Sequence, residues 1–212
     1  MHIRLYLVAA LICVVSHAEG SAKLPRNANS APISGKTSIP YGWVDFCQRY
    51  RGECDGADLP AMSVTLTWQT IKEIRRINRW VNSRIVPTAD IEHWGIVDQW
   101  DYPTDGKGDC EDYALMKRKL LIAEGLPRQA LLITIVRDID GEGHAVLMVK
   151  TSAGDLVLDS LRDDVRMWME TDYRFVKRQS QTNQNVWVAI GVPTPPPPFV
   201  SQENVRQRSG SR

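Results

Sequence analysis

The sequence lacks an excess of charge of either sign. Lys and Arg number 26, Asp and Glu number 25, and the formal net charge over 212 residues is +1. This balance gives no electrostatic reason to expect nucleic acid or an anionic membrane as a partner. Long apolar runs are also missing beyond the first 18 residues, so no later segment is expected to insert into a bilayer.

The single apolar run, residues 5–15, is too short to span a membrane, which takes roughly 20 apolar residues. It follows the weakly basic start at His2 and Arg4, and it precedes Ser16 and Ala18, small residues at the positions that a signal peptidase reads. We therefore predict a cleaved secretory signal over residues 1–18. The alternative is a buried N-terminal helix.

Composition divides the rest of the chain into three parts. Residues 19–38 are rich in Ser, Ala, Asn, Pro and Gly, which predicts a flexible leader. Residues 193–212 begin with a proline run and continue as a polar stretch, which predicts a disordered tail and favours a linker over a recognition peptide. One folded domain is expected over residues 39–192.

Hydrophobic periodicity predicts helices first and strands afterwards. Isoleucines and valines at spacings of three and four predict a helix over residues 64–85, with Trp68 and Trp80 on its buried side. A second helix begins near Cys110 and ends at Gly125, before a proline. The remainder reads as a strand meander, with segments at 130–136, 144–150, 156–158, 173–177 and 186–190. This order indicates an α+β domain with an antiparallel sheet.

Cysteine and histidine are scarce, with four of each. Loss of the signal removes Cys13 and leaves Cys47 and Cys54, which are candidates for a disulfide across a short loop, and the odd thiol Cys110. The Cys47–Cys54 segment lacks the further ligands that a zinc site needs. The remaining histidines are His93 and His144.

Three residues on the predicted elements suggest nucleophilic catalysis. Cys110 starts a helix, where the partial positive charge of the helix end favours the nucleophilic thiolate. His144 opens a strand after a glycine, and Asp159 closes the next strand, so a carboxylate can orient the imidazole. Taken alone, each residue has an ordinary structural explanation; together they indicate a nucleophile, a base and an orienting acid. His93 is the competing base.

Sequence blocks around these residues resemble a known family. Gly-Asp-Cys-Glu-Asp-Tyr-Ala at 108–114, Gly-His-Ala-Val-Leu at 143–147 and Leu-Asp-Ser at 158–160 are similar to the transglutaminase-like cysteine protease superfamily. Residues 41–47 and 77–82 resemble the bacterial LapG-type periplasmic proteases within it.

The resemblance implies a papain/transglutaminase-like core, with the nucleophile at the N-terminus of a helix packed on an antiparallel sheet. It implies a periplasmic location and a substrate, a large cell-surface adhesin cut near its N-terminus at a pair of alanines, whose release promotes biofilm dispersal. It also implies an inhibitory partner, an inner-membrane receptor for cyclic di-GMP.

The resemblance further implies a calcium site, and the residues themselves favour one. Six acidic residues crowd the sequence around the nucleophile, and they repel one another unless a cation neutralises them. They are Asp98, Asp101, Asp105, Asp109, Glu111 and Asp112. Spacing from Asp101 to Asp112 matches an EF-hand in part, but Pro103 occupies the third position and the twelfth lacks Glu. A site using Asp109 and Glu111 is preferred over that EF-hand and over an acidic surface loop.

Other functions use the same residues. A transglutaminase passes the acyl group to an amine instead of water, and a cell-wall peptide amidase acts in the same compartment. A non-catalytic binding module would predict replacement of a catalytic residue, and none is replaced. For the oxyanion, the backbone N–H of Cys110 is one candidate donor and the Trp100 region is a second.

Overall fold

The computed structural model describes residues 29–191, and the predicted signal at 1–18 and tail at 193–212 lie outside them. The elements in chain order are β1 (Ile33–Thr37), α1 (Tyr41–Arg49), α2 (Arg51–Cys54), α3 (Trp68–Arg84), β2 (Val86–Pro87), α4 (Asp90–His93), β3 (Lys107–Gly108), α5 (Cys110–Ala123), β4 (Leu131–Arg137), β5 (Gly143–Thr151), β6 (Gly154–Asp159), β7 (Arg162–Met167), β8 (Arg174–Gln179) and β9 (Trp187–Ile190). Short 3₁₀ turns precede β4 and follow β7.

A seven-stranded sheet forms the centre of the described part, in the order β1-β9-β8-β4-β5-β6-β7. Every neighbouring pair in it is antiparallel. Helix α5 packs on β4, β5 and β6, and α3 packs on α5 and β7. The predicted α+β class, with the nucleophile's helix on an antiparallel sheet, is confirmed.

Helix α3 has the predicted buried stripe, but the helix is shorter than residues 64–85. Thr67 caps its start by accepting a hydrogen bond from the backbone of Thr70 at 3.1 Å, and Ile74, Ile77 and Val81 face the core. The prediction that its tryptophans are buried is wrong.

Trp68 is 88% exposed and Trp80 is 44% exposed. Both lie six residues from Ile74, and at about 100° per residue they point away from the buried stripe. Trp80 instead lies under the guanidinium of Arg84, 5.6 Å from the ring centroid.

Helix α5 ends where the sequence predicts. Gly125 adopts the left-handed backbone conformation, with φ of +87°. The N–H groups of Gly125 and Leu126 then close the helix on the carbonyls of Ile122 and Leu121. At its other end the helix begins with Cys110.

Strand β1 differs from the expectation for residues 19–38, because its residues pair with β9 instead of forming flexible leader. Most of its side chains are exposed, so no hydrophobic alternation marked it. Backbone hydrogen bonds hold it at the sheet edge, and such bonds do not depend on apolar side chains.

Cys47 and Cys54 form a disulfide that links α1 to α2. Cys110, among the described residues, takes part in no disulfide. Within residues 29–191, no helix is both long and apolar enough to cross a membrane.

Candidate active site

Cys110 is the first residue of α5, and its side chain is buried, with 1% exposed. Its Sγ accepts a hydrogen bond from the backbone N–H of Ala145 at 3.3 Å. This contact places the start of β5, and with it His144, against the start of α5. The thiol also donates to Glu111 Oε2 at 3.1 Å.

His144 and Asp159 form a buried pair beside the thiol. His144 Nε2 lies 2.8 Å from Asp159 Oδ1, and the two residues are 2% and 3% exposed. Strands β5 and β6 are antiparallel neighbours, with Leu147 opposite Leu158. In this register the start of β5, which contains His144, lies beside the end of β6, which contains Asp159. The structure thus places His144 in contact with Asp159, and it places the residue after His144 in contact with the thiol of Cys110.

Asp159 makes further contacts that were not predicted from the sequence. Tyr173 donates its hydroxyl to Asp159 Oδ2 at 2.5 Å, and the backbone N–H of Leu161 donates to Oδ1 at 3.0 Å. Burial raises the pKa of Asp159, but the charge and hydrogen bond of His144, together with the hydrogen bonds from Tyr173 and Leu161, outweigh it. The net effect keeps this pKa well below its usual value and the carboxyl group ionised.

A buried acidic cluster adjoins the nucleophile. Carboxylate oxygens of Asp90, Asp109 and Asp112 lie within 4.8 Å of one another, and the same holds for Asp109, Glu111 and the thiol of Cys110. Both oxygens of Asp109, Oδ1 of Asp90 and Oε1 of Glu111 are buried without a hydrogen-bond partner. Such atoms are costly in a protein interior unless a cation or proton satisfies them.

The acidic residues fit a hard divalent cation by their donor chemistry. Asp109 occupies the N-cap position of α5, yet its side chain makes no capping hydrogen bond. Its oxygens point instead into the cluster, where burial and then the charge of Glu111 raise its pKa. Several carboxylate oxygens in one place are what Ca²⁺ prefers.

Both residues predicted as ligands, Asp109 and Glu111, lie in the cluster, and Asp90 and Asp112 lie there as well. Asp112 was named only among the crowded acids, and Asp90 was not considered. Asp90 lies 19 residues before Asp109 in the sequence, and no local spacing could have linked it to the nucleophile. The short parallel pairing of β2 with β3 brings the chain segment near Asp90 alongside the segment that precedes Cys110.

Two of the other acidic residues have partners elsewhere. Asp101 forms an ion pair with Arg49 at 3.0 Å and accepts a hydrogen bond from Tyr50. Asp105 pairs with His93 Nε2 at 2.8 Å. The crowding read from the sequence therefore resolves into a buried cluster and two separate pairings, of Asp101 with Arg49 and of Asp105 with His93.

The electrostatic environment of Cys110 differs from the prediction. The helix start was expected to favour the thiolate, but burial, followed by the negative charges of Glu111 and Asp109, raises the pKa of the thiol well above its usual value. Burial and the acidic neighbours together therefore favour the neutral thiol over the thiolate.

Two secondary candidates are engaged in other contacts. His93 stacks on Trp94 with ring centroids 4.0 Å apart, and its carboxylate partner is Asp105. His144, in contrast, precedes Ala145, whose backbone N–H contacts Cys110 Sγ. The indole N–H of Trp100 donates to Asp98 at 2.9 Å. Because that donor is used, the indole does not serve as the second oxyanion donor in this arrangement.

Residues 33–194 match the sequence model of a family described as bacterial transglutaminase-like cysteine proteinase. Among solved structures, Legionella pneumophila LapG is similar at 28% identity with a TM-score of 0.48, covering 56% of this chain and 68% of that chain. Its calcium-bound form matches at 26% identity and a TM-score of 0.48, covering 58% and 72%. An EGTA-treated form matches at 28% and 0.48, covering 57% and 70%. No curated protein matches the chain.

Proposed function

Because the chain belongs to the bacterial transglutaminase-like cysteine proteinases, we propose that it is an endopeptidase whose nucleophile, base and orienting acid are Cys110, His144 and Asp159. The observation that carries this assignment is a pair of contacts made by two neighbouring residues at the start of β5. Asp159 engages Nε2 of His144 at 2.8 Å, and the next residue along β5, Ala145, donates its N–H to Cys110 Sγ.

The contacts assign a role to each atom. With Nε2 held by Asp159, Nδ1 of His144 is the nitrogen that takes the proton of the Cys110 thiol. The sulfur then bonds to the peptide carbonyl carbon, and we assign the backbone N–H of Cys110 as a donor to the oxyanion. As the C–N bond breaks, the imidazolium protonates the leaving amine, and a thioester remains.

Hydrolysis completes the cycle. His144 takes a proton from water, the resulting hydroxide adds to the thioester carbonyl, and the C–S bond breaks. The sulfur recovers the proton from the imidazolium, and the products are a carboxylic acid and an amine. Asp159 stays ionised throughout and stabilises the imidazolium in each half-reaction.

We propose calcium as the ion that occupies the acidic cluster. Asp109 and Glu111, with Asp90 and Asp112, would hold it, and the unpartnered oxygens of Asp109 and Glu111 support this assignment. A bound Ca²⁺ would supply positive charge beside the nucleophile and neutralise the carboxylates that raise the pKa of its thiol.

Substrate, location and partner follow from the sequence resemblance. We propose a large cell-surface adhesin, cut near its N-terminus at a di-alanine site and so released during biofilm dispersal. We place the chain in the periplasm, delivered by residues 1–18, and the Cys47–Cys54 disulfide suits such an oxidising compartment. An inner-membrane cyclic di-GMP receptor would sequester the enzyme.

Cleavage of an N-terminal adhesin fragment carrying a di-alanine tests the proposal. The mature chain with calcium should cut the fragment, and Cys110→Ala, His144→Gln and Asp159→Asn should each lose most of the activity. The chain offers matched controls, because His93→Gln and Asp105→Asn alter another histidine–carboxylate pair and should leave cleavage unchanged. An intact fragment, with a labelled primary amine incorporated instead, would establish the transglutaminase alternative.

Calcium binding is tested separately by thermal unfolding. Calcium should raise the melting temperature of the wild-type chain, because a ligand of the folded state stabilises it. Asp109→Asn should abolish the shift, whereas Asp105→Asn should retain it. An equal shift in all three proteins would place the ion elsewhere.

A further inference from the structure

Tyr173 lies immediately before β8, which is separated from β6 by β4 and β5 in the sheet. Its hydroxyl nevertheless reaches Asp159, at the end of β6, with an O–O distance of 2.5 Å. The side chain therefore crosses the ends of the two intervening strands. His144, on β5, lies beneath it, with the two ring centroids 5.4 Å apart.

The hydrogen bonds to Asp159 divide between its two oxygens. Oδ1 faces His144 Nε2 and the N–H of Leu161, while Oδ2 accepts from Tyr173. Among residues 29–191, the donor to Asp159 Oδ2 is the hydroxyl of Tyr173. A buried carboxylate held at one oxygen can turn about its Cβ–Cγ bond, and a donor at the second oxygen fixes its plane.

We infer that Tyr173 is a positioning residue of the active site, which holds the Asp159 carboxylate so that Oδ1 stays aligned with His144 Nε2. The inference rests on the proposed cysteine-protease function, because it assigns to Tyr173 a role in that catalysis. The ring of Tyr173 makes a second contribution, because it covers one side of the His144 imidazole and limits the orientations that His144 can adopt.

Tyr173→Phe isolates the role of the hydroxyl, because the substitution keeps the ring over His144 and removes the donor. A hydrogen bond to a buried charged group that is lost in this way corresponds to a rate loss of roughly 10- to 100-fold. Tyr41→Phe is the matched control, since Tyr41 is largely exposed on α1 and belongs to no part of the site.

The rate of alkylation of Cys110 by iodoacetamide is the readout, with mass spectrometry locating the label. It needs no peptide substrate, so it separates this inference from the proposed function. We expect Tyr173→Phe to react roughly 10- to 100-fold more slowly than wild type, and Tyr41→Phe to match wild type. A wild-type rate for Tyr173→Phe would overturn the inference while leaving the proposed protease activity standing.

A double-mutant cycle with Asp159→Asn separates positioning from a general effect on packing. If Tyr173 acts through Asp159, adding Tyr173→Phe to Asp159→Asn should slow alkylation no further. If Tyr173 only supports the local packing, its substitution alters access to Cys110 in either background, and the two effects multiply. Multiplying effects would overturn the inference.

Discussion

Asn82, on α3, donates its side-chain amide to the main-chain carbonyl of Asp159 at 3.0 Å. The same nitrogen donates to the carbonyl of Arg162 at 2.9 Å and to Asp163 Oδ1 at 3.0 Å. One turn earlier, Asn78 donates to the carbonyls of Arg162 and Asp163. Two buried asparagines thus fasten α3 to the turn between β6 and β7 and fix the main chain of the residue that orients His144.

Asn82→Ala should therefore lower the free energy of unfolding by about 1–3 kcal/mol, since it leaves buried acceptors without a donor. Asn82→Asp should cost more, because it turns a carboxylate toward three oxygen atoms. Urea unfolding measures both, and Ser83→Ala and Ser83→Asp at the adjacent exposed position are the controls. Costs equal to those at Ser83 would show that the asparagine is not holding the turn.

The sequence was sufficient for the parts of the site that lie in order along the chain. Cys110 at a helix start, His144 at a strand start and Asp159 at the end of the next strand could be placed because a hairpin register brings neighbouring strand ends together. The C-terminus of α5 was predictable for a similar reason, since Gly125 needs only its local backbone geometry.

Residues that act across the fold could not be placed from the sequence in this way. Tyr173 and Asp90 reach the site through strand order and through the pairing of β2 with β3, and neither relation leaves a periodic pattern. Strand β7 was missed because its residues, Arg-Asp-Asp-Val-Arg-Met, are mostly polar at the sheet edge. The thiol pKa was misjudged because burial and nearby carboxylates favour the neutral thiol.

In calcium-free buffer, the protein should become less stable as pH rises. The pKa of Glu111 is raised to about 8 and that of Asp90 to about 6, and burial is the largest cause for both. In the unfolded chain both groups titrate near pH 4. The folded state therefore binds more protons than the unfolded state between about pH 4 and pH 8. The free energy of unfolding then falls with rising pH across this window.

Melting temperatures at about pH 5.5 and about pH 8, with and without calcium, measure this effect. Saturating calcium should remove the decline, since a bound cation allows the carboxylates to stay ionised in the folded state. Glu111→Gln should weaken the decline, whereas Asp105→Asn, outside the cluster, should leave it intact. A calcium-free protein that gains stability toward pH 8 would contradict the assignment of the cluster.

The Cys47–Cys54 disulfide should contribute to stability without contributing to the chemistry. The two residues are seven apart in sequence, and closing so short a loop corresponds to about 2–3 kcal/mol of stabilisation. Replacing both with Ser should lower the urea midpoint accordingly while Cys110 alkylation keeps its wild-type rate. Reductant should destabilise the wild-type chain and leave the stability of the double variant unchanged. Loss of Cys110 alkylation in the double variant would instead show that α1 and α2 help to form the active site.

Gly154 should tolerate no side chain, because the chain before β1 passes directly over it. Its φ is +129°, and an added Cβ would lie 2.5 Å from the side chains of Asn29 and Met167 and 2.7 Å from the carbonyl oxygen of Asn29. The same crossing is held by the N–H of Ala31, which donates to buried Asp155 at 2.8 Å. Gly154→Ala should therefore displace residues 29–31 as well as strain the turn.

Gly141→Ala is the matched control, since Gly141 has a φ of +88° and open space around it. Both substitutions place a side chain at a positive φ, which costs of the order of 1 kcal/mol or more, so the steric clash at Gly154 is read from the segment that it displaces. Hydrogen exchange at the Ala31 amide should accelerate in Gly154→Ala and stay protected in Gly141→Ala. Equal stability losses with Ala31 protected in both would mean that the crossing segment yields to the added methyl group without leaving Asp155.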